Sequence, residues 1–287
     1  MNLVILGYGY TSQAFARRVR GRFARIVGTV RSPERAAALG GDGVEVRAFD
    51  DPSIAAEIEA ADALLVSIPP DGEGDVALRR FADALARAPR LRWIAYLSTV
   101  GVYGDHGGAW VTESTPPRPT SERSVRRVAA EADWLAFGER AGKTVQVFRL
   151  AGIFGPGRNG LVNLAEGSAR RVIKPGQVFN RIHVDDIAGV LEAAMERPRA
   201  GAIYNVSDDE PAPPQDVVTF AADLLGAAAP PAVPFEEAEM SAMARSFYGE
   251  NKRVSNALLR GELGYRLLYP TYREAYRALA ASGEGQA

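Results

Sequence analysis

Cysteine is absent from this chain of 287 residues, and histidine occurs only twice, at His106 and His183. Without thiols there is no disulfide, no thiolate nucleophile and no sulfur-ligated metal, and two imidazoles alone give no reason to expect a metal enzyme. Neither sign of charge dominates: 34 Lys and Arg stand against 35 Asp and Glu, a formal net charge of -1. That balance does not call for nucleic acid as a partner. The one basic stretch, ARRVRGRFAR at residues 16–25, has no aromatic stacking platform beside it and reads as a solvated helix face. No apolar run approaches the roughly 18 residues of a membrane span, so no membrane partner is expected. The opening MNLVILGYGY enters a strand-like run with no basic leader or cleavage site, which makes the cytoplasm the expected location. What remains is a globular composition, 47% hydrophobic, sufficient for a large core.

Hydrophobic runs and breakers alternate as strand then helix, which predicts an α/β fold: a Rossmann-type, doubly wound parallel sheet with a small C-terminal substrate lobe. Strands are expected over residues 3–6, 26–30, 44–49, 63–67, 93–98, 145–150 and 202–206. Helices are expected over 12–22, from 32–34 onward, 76–86, 124–138 and 182–195. Residues 1–155 then form a dinucleotide-binding domain whose sheet is completed by 180–206. Segments 156–179 and 207–287 form the small lobe, and the terminal SGEGQA is expected to fray.

The run GYGYTS at residues 7–12 matches G-x-G-x-x-small between the first strand and the first helix. Gly7 allows the turn, Gly9 lets backbone approach a pyrophosphate, and the small third residue permits close helix–strand packing. Tyr8 completes the turn, and the amides of Tyr10 and Thr11 would face the anion. Between Gly9 and Glu34 there is no acidic residue to hold the ribose hydroxyls of NAD. Arg31 and Ser32 stand there instead. Arg31 reads either as a charge-assisted fork on a 2′-phosphate or as a solvated arginine, and the first reading makes NADP the expected cofactor over NAD. Asp50, after the third strand, either bonds the adenine amino group or caps the helix near Ser53, and Ser67 ends the fourth strand at the same edge.

Four further runs carry a family resemblance: STVGVYG at 98–104, FRLAGIFGP at 148–156, RIHVDDI at 181–187 and YNVS at 204–207. In this order they resemble the extended short-chain dehydrogenase/reductase superfamily, the NAD-dependent epimerase/dehydratase group, across nearly the whole chain, and within it an atypical subgroup. The resemblance implies a small-molecule substrate held between the lobes and a homodimer. In typical members a strand-five hydroxyl and a Tyr-x-x-x-Lys pair do the chemistry. Thr99 matches the hydroxyl, but Arg123 stands where the tyrosine is expected and Arg127 where the lysine is, with Glu131 four residues on. Arginine stays protonated and is a poor general base, so Arg123 cannot take over the proton transfer. Arg127 could keep the binding half of the lysine's role, or both arginines could lie on a charged helix face. Val100 and Gly101 replace the Asp-Glu pair of sugar dehydratases, which disfavours a 4,6-dehydratase.

Other residues compete for the missing proton. His106 sits in the glycine-rich loop GDHGGAW at 104–110, and Tyr248 with Lys252 has the i, i+4 spacing of a helical pair on the substrate side. Tyr103 reads as a packing residue, and the carboxylates after His183 read as caps of the helix that follows. Two functions are consistent with this sequence. One is an NADP(H)-dependent oxidoreductase or epimerase acting on a small carbonyl or sugar-like substrate. The alternative is a catalytically silent NADP-binding regulatory or sensor protein.

Overall fold

A computed structural model describes residues 1–39 and 43–286. Seven strands form one parallel sheet: β1 (Asn2–Leu6), β2 (Arg25–Val30), β3 (Glu45–Ala48), β4 (Ala63–Val66), β5 (Trp93–Thr99), β6 (Val145–Leu150) and β7 (Ile203–Val206), in the order β7-β6-β5-β4-β1-β2-β3. The register places Leu3 against Ile26 and Ala63, and Thr99 against Leu150. Side chains of β4 are buried on both faces, and such continuous apolar runs are what a covered parallel sheet requires.

Helices α1 (Tyr10–Val19), α2 (Pro33–Leu39), α3 (Ile54–Glu59), α4 (Val76–Arg87), α5 (Glu122–Ala141), α6 (Gly160–Ala165), α7 (Val184–Glu196), α8 (Pro214–Leu224), α9 (Ala242–Tyr248), α10 (Ala257–Gly261) and α11 (Tyr272–Ala281) surround it. Leu3 and Ile5 share one core layer with Phe15 of α1 and Ile187, Val190 and Leu191 of α7. Val4 and Leu6 share the other with Ile58 of α3, Phe81 of α4 and Trp134 of α5. The strand period of two sends neighbouring β1 residues to opposite layers. On the α1–α7 contact, Arg18 and Arg22 pair with Glu192, so part of the basic stretch faces glutamates.

Three expectations are corrected here. A helix from residue 182 is preceded by a strand, because Arg181–His183 pairs with Gly152–Phe154 before the chain turns helical. His183 caps α7 through its Nδ1, which accepts from the Asp185 amide at 3.2 Å, whereas Asp186 accepts from the amides of Leu268 and Tyr269 at 2.6 and 3.1 Å and so anchors a distant segment. The C-terminal segment is held as well, since the Glu284 carboxylate accepts from Gly157 N at 3.0 Å and Asn159 Nδ2 at 2.9 Å. Among the described residues no helix is long and apolar enough to cross a membrane.

Candidate functional site

The strand order reverses between β1 and β4, and the carboxyl ends of these strands open the crevice where ligands of doubly wound sheets bind. Gly7 leaves β1 with φ +98°, and a Cβ there would lie 3.1 Å from Ile68 N and 3.2 Å from the Ser67 carbonyl carbon. Only glycine suits both the conformation and the space. Ser67 thus forms the neighbouring wall, its amide donating to Leu6 O at 2.8 Å. Tyr8 is turned to β2: its amide donates to Thr29 O at 2.6 Å, and its ring covers Gly28. Ser12, fully buried, donates from Oγ to Gly7 O at 2.8 Å and closes the helix onto the turn.

Gly9 differs from Gly7. Its φ is −101°, open to any residue, and a Cβ on it would meet nothing within 4 Å. The space beside it is therefore left by the absent side chain, not by backbone demand. α1 starts here without a side-chain cap and without an acidic residue in its first turn, so the leading amides of Tyr10 and Thr11 present an uncompensated positive end. A pyrophosphate fits this combination of open approach and donor amides. The Tyr10 phenol is not available to it, because Oη donates to Pro156 O at 3.0 Å, and burial pushes its pKa up to about 12.

At the end of β2, next to β1, Arg31 is exposed and has no hydrogen-bond or ion-pair partner among the described residues. Ser32 accepts from Arg35 N at 3.4 Å and holds the Glu34 carboxyl below its usual pKa. Of the two aspartates after β3, Asp51 takes the local bond, accepting from Ser53 N at 2.9 Å, which leaves the exposed Asp50 carboxylate outside that turn.

Thr99 ends β5, where its Oγ1 accepts from Gly101 N at 3.1 Å. Two hydroxyls missed in the sequence accompany it. Ser121 caps α5 and donates to Ser124 Oγ at 2.9 Å, and a Cβ on Gly101 would lie 3.0 Å from Ser124 Oγ and 3.4 Å from Thr99 Oγ1. The cap signal at Ser121 was present in the sequence, but nothing local links it to residue 101.

The two arginines separate. Arg127 turns inward, donating to Tyr96 Oη at 3.0 Å and Leu97 O at 2.9 Å. Arg123 is exposed, its guanidinium 5.2 Å from the Phe247 ring centroid. Of the other candidates, His106 Nε2 lies 3.1 Å from Tyr103 O, and its loop is stapled down, with His106 N and Gly108 N both reaching Asn251 O at 2.9 Å. Tyr248 is buried between Phe179 and Phe235. The helical pairing with Lys252 is corrected: α9 stops at Tyr248, and the buried Lys252 donates to Gly104 O at 2.8 Å and Glu250 Oε2 at 2.6 Å. Tyr103 is fully buried and packs as expected, donating to Asn205 Oδ1 at 2.7 Å while burial raises its pKa.

A sequence model of the NAD dependent epimerase/dehydratase family matches residues 77–207. Protein YeeZ of Escherichia coli (strain K12) is 30% identical over 230 residues, covering 73% of this chain and 72% of that protein. A solved, functionally unknown conserved protein from Silicibacter pomeroyi is 49% identical over 99% of both chains, with a TM-score of 0.90. A human epimerase family protein solved with NADPH shares the fold at 18% identity and a TM-score of 0.73, over 98% of this chain and 99% of that one, and other structures of this fold hold NAD.

Proposed function

This chain belongs to the NAD-dependent epimerase/dehydratase family of extended short-chain dehydrogenases, and from that premise we propose that it binds NADP(H) at the Gly7–Gly9 turn and acts as an oxidoreductase or epimerase on a small carbonyl or sugar-like substrate. The observation that carries the cofactor preference is Arg31, a guanidinium at the end of β2 with no partner among the described residues, and with no acidic residue between Gly9 and Glu34 to bind a free ribose diol. Gly9 and the leading amides of α1 would hold the pyrophosphate, and Arg31 with Ser32 the 2′-phosphate. When bound, the nicotinamide supplies or accepts hydride. The chain's own residues then have to orient the substrate and move a proton. Thr99 and Ser124 offer hydroxyls near the end of β5, whereas Arg123 brings a guanidinium, which has donors and no acceptor.

Titrating NADPH and NADH into wild type and Arg31→Ala, followed by nicotinamide fluorescence, tests this reading. Losing one charge-assisted fork should weaken NADPH by about 10- to 100-fold and leave NADH unchanged. Equal wild-type affinity for the two cofactors would remove the preference for NADP. A second reading, a cofactor-binding protein without turnover, is favoured by one observation: the positions of the family's tyrosine and lysine carry Arg123, stacked on Phe247, and Arg127, bonded to Tyr96 and Leu97. Cofactor oxidation with any member of a carbonyl panel, lost in Thr99→Val, excludes it.

A further inference from the structure

Beyond the carboxyl ends of β6 and β7 lies a group of polar side chains apart from the glycine turn. Arg181 opens the strand paired with Gly152–Phe154, and Asp208 follows β7 and donates its amide to Arg181 O at 2.7 Å. The Arg181 Nη1 donates to Phe179 O at 3.0 Å and Ala212 O at 3.2 Å. That accounts for one of its three nitrogens: among the described residues Nε and Nη2 have no partner, and no carboxylate lies within 4.0 Å of the guanidinium. Most of the Arg181 side chain is covered.

Asp208 is 2% exposed; its Oδ1 accepts from Glu210 N at 3.3 Å, and its Oδ2 is buried without a hydrogen-bond partner among the described residues. Tyr272, at the start of α11 and fully buried, likewise leaves its hydroxyl without a partner, and its ring centroid lies 6.0 Å from the Arg181 guanidinium. Buried polar groups are almost always satisfied, so two unpartnered ones, the Asp208 carboxylate oxygen and the Tyr272 hydroxyl, beside a guanidinium with spare donors need an account. Burial lowers the Arg181 pKa and raises that of Asp208 well above its usual value, so each charge is disfavoured where it stands. Were they in direct contact, each would satisfy the other. Held apart, they match a molecule carrying an anionic group for the fork and a hydroxyl for the carboxyl.

We propose that Arg181 and Asp208 form the substrate-anchoring subsite of this protein, and that the substrate is a small hydroxy- or oxo-carboxylate, its carboxylate on Arg181 and a neighbouring hydroxyl on Asp208. This rests on the reading of the chain as an NADP(H)-dependent enzyme and names its substrate class. Ordered water in the same space is the competing occupant.

Isothermal titration of the NADP⁺-saturated protein with glycerate against glycerol, and glucuronate against glucose, separates the two. Each acid is expected to bind at least about tenfold more tightly than its neutral twin. Arg181→Gln should abolish the difference and Arg181→Lys keep part of it, while NADPH affinity, measured on the same preparations, stays unchanged and reports an intact fold. Acids binding no better than their neutral twins, or a preference that survives in Arg181→Gln, would overturn the subsite. The same titrations without cofactor keep the two readings distinct: acid selectivity in a protein that fails to bind NADPH supports the subsite and removes the cofactor reading instead.

Discussion

Glu131→Ala is expected to destabilise the protein by about 3–5 kcal/mol, read as a fall of roughly 10 °C in Tm or an equivalent shift in the urea midpoint. Glu131 and Arg149 form a pair whose side chains are each 4% exposed, with Nη2 to Oε2 at 2.7 Å and Nε to both carboxylate oxygens at 3.2 Å. Ser98 donates to the same carboxylate, and Arg149 Nη1 donates to Tyr103 Oη at 2.9 Å, which passes the network on to Asn205. Removing the carboxylate leaves a buried guanidinium without its ion-pair partner. The cost comes from that stranded charge more than from the lost attraction, because burying the pair already consumed most of its Coulomb energy. Two controls follow. Glu131→Gln keeps an acceptor and should cost less than the alanine, and Glu131→Met with Arg149→Met removes both charges and should recover most of the loss. A double variant as unstable as Glu131→Ala would show that the site needs polarity for shape, and not for charge.

That network also marks where sequence reading stops. Glu131 was noticed for its place in a spacing pattern, yet its partners lie 18 and 33 residues away, and Tyr103 meets Asn205 across 102. Periodicity and turn chemistry act over a few residues, which is why the glycine turn and all seven sheet strands follow from local pattern. They fail where a local pattern permits two outcomes. The apolar run from residue 182 suits strand or helix, and pairing with residues 152–154 decides it. Tyr248 and Lys252 have helical spacing, but the helix stops at Tyr248, and Lys252 is claimed by Gly104, 148 residues back. The terminal residues look like a tail until Glu284 meets the loop at Gly157. Arg181 opens the run RIHVDDI, but its spare donors become visible only once Asp208 and Tyr272 are brought around it.

Gly9→Glu should lower dinucleotide affinity by about 100-fold or more while leaving the Tm of the cofactor-free protein within about 1 °C of wild type. The two halves of this expectation have separate causes. Gly9 has an ordinary φ of −101° and open space where its Cβ would be, so the fold gives no reason for glycine there. Only something that comes and goes can require the space, and a carboxylate placed at the uncapped end of α1 would both fill it and occupy the donors that a pyrophosphate needs. Gly7 makes the contrast. Alanine at φ +98°, with its Cβ 3.1 Å from the Ile68 amide nitrogen, should cost stability of about 1–3 kcal/mol before any ligand is added. Comparing the two glycines by thermal denaturation without cofactor and by NADPH titration therefore separates a turn the fold needs from a turn the ligand needs. If Gly9→Glu bound NADPH like the wild type, the pyrophosphate would have to lie elsewhere. If it unfolded as readily as Gly7→Ala, Gly9 would be structural, and the family's fold would remain without its cofactor site at this turn.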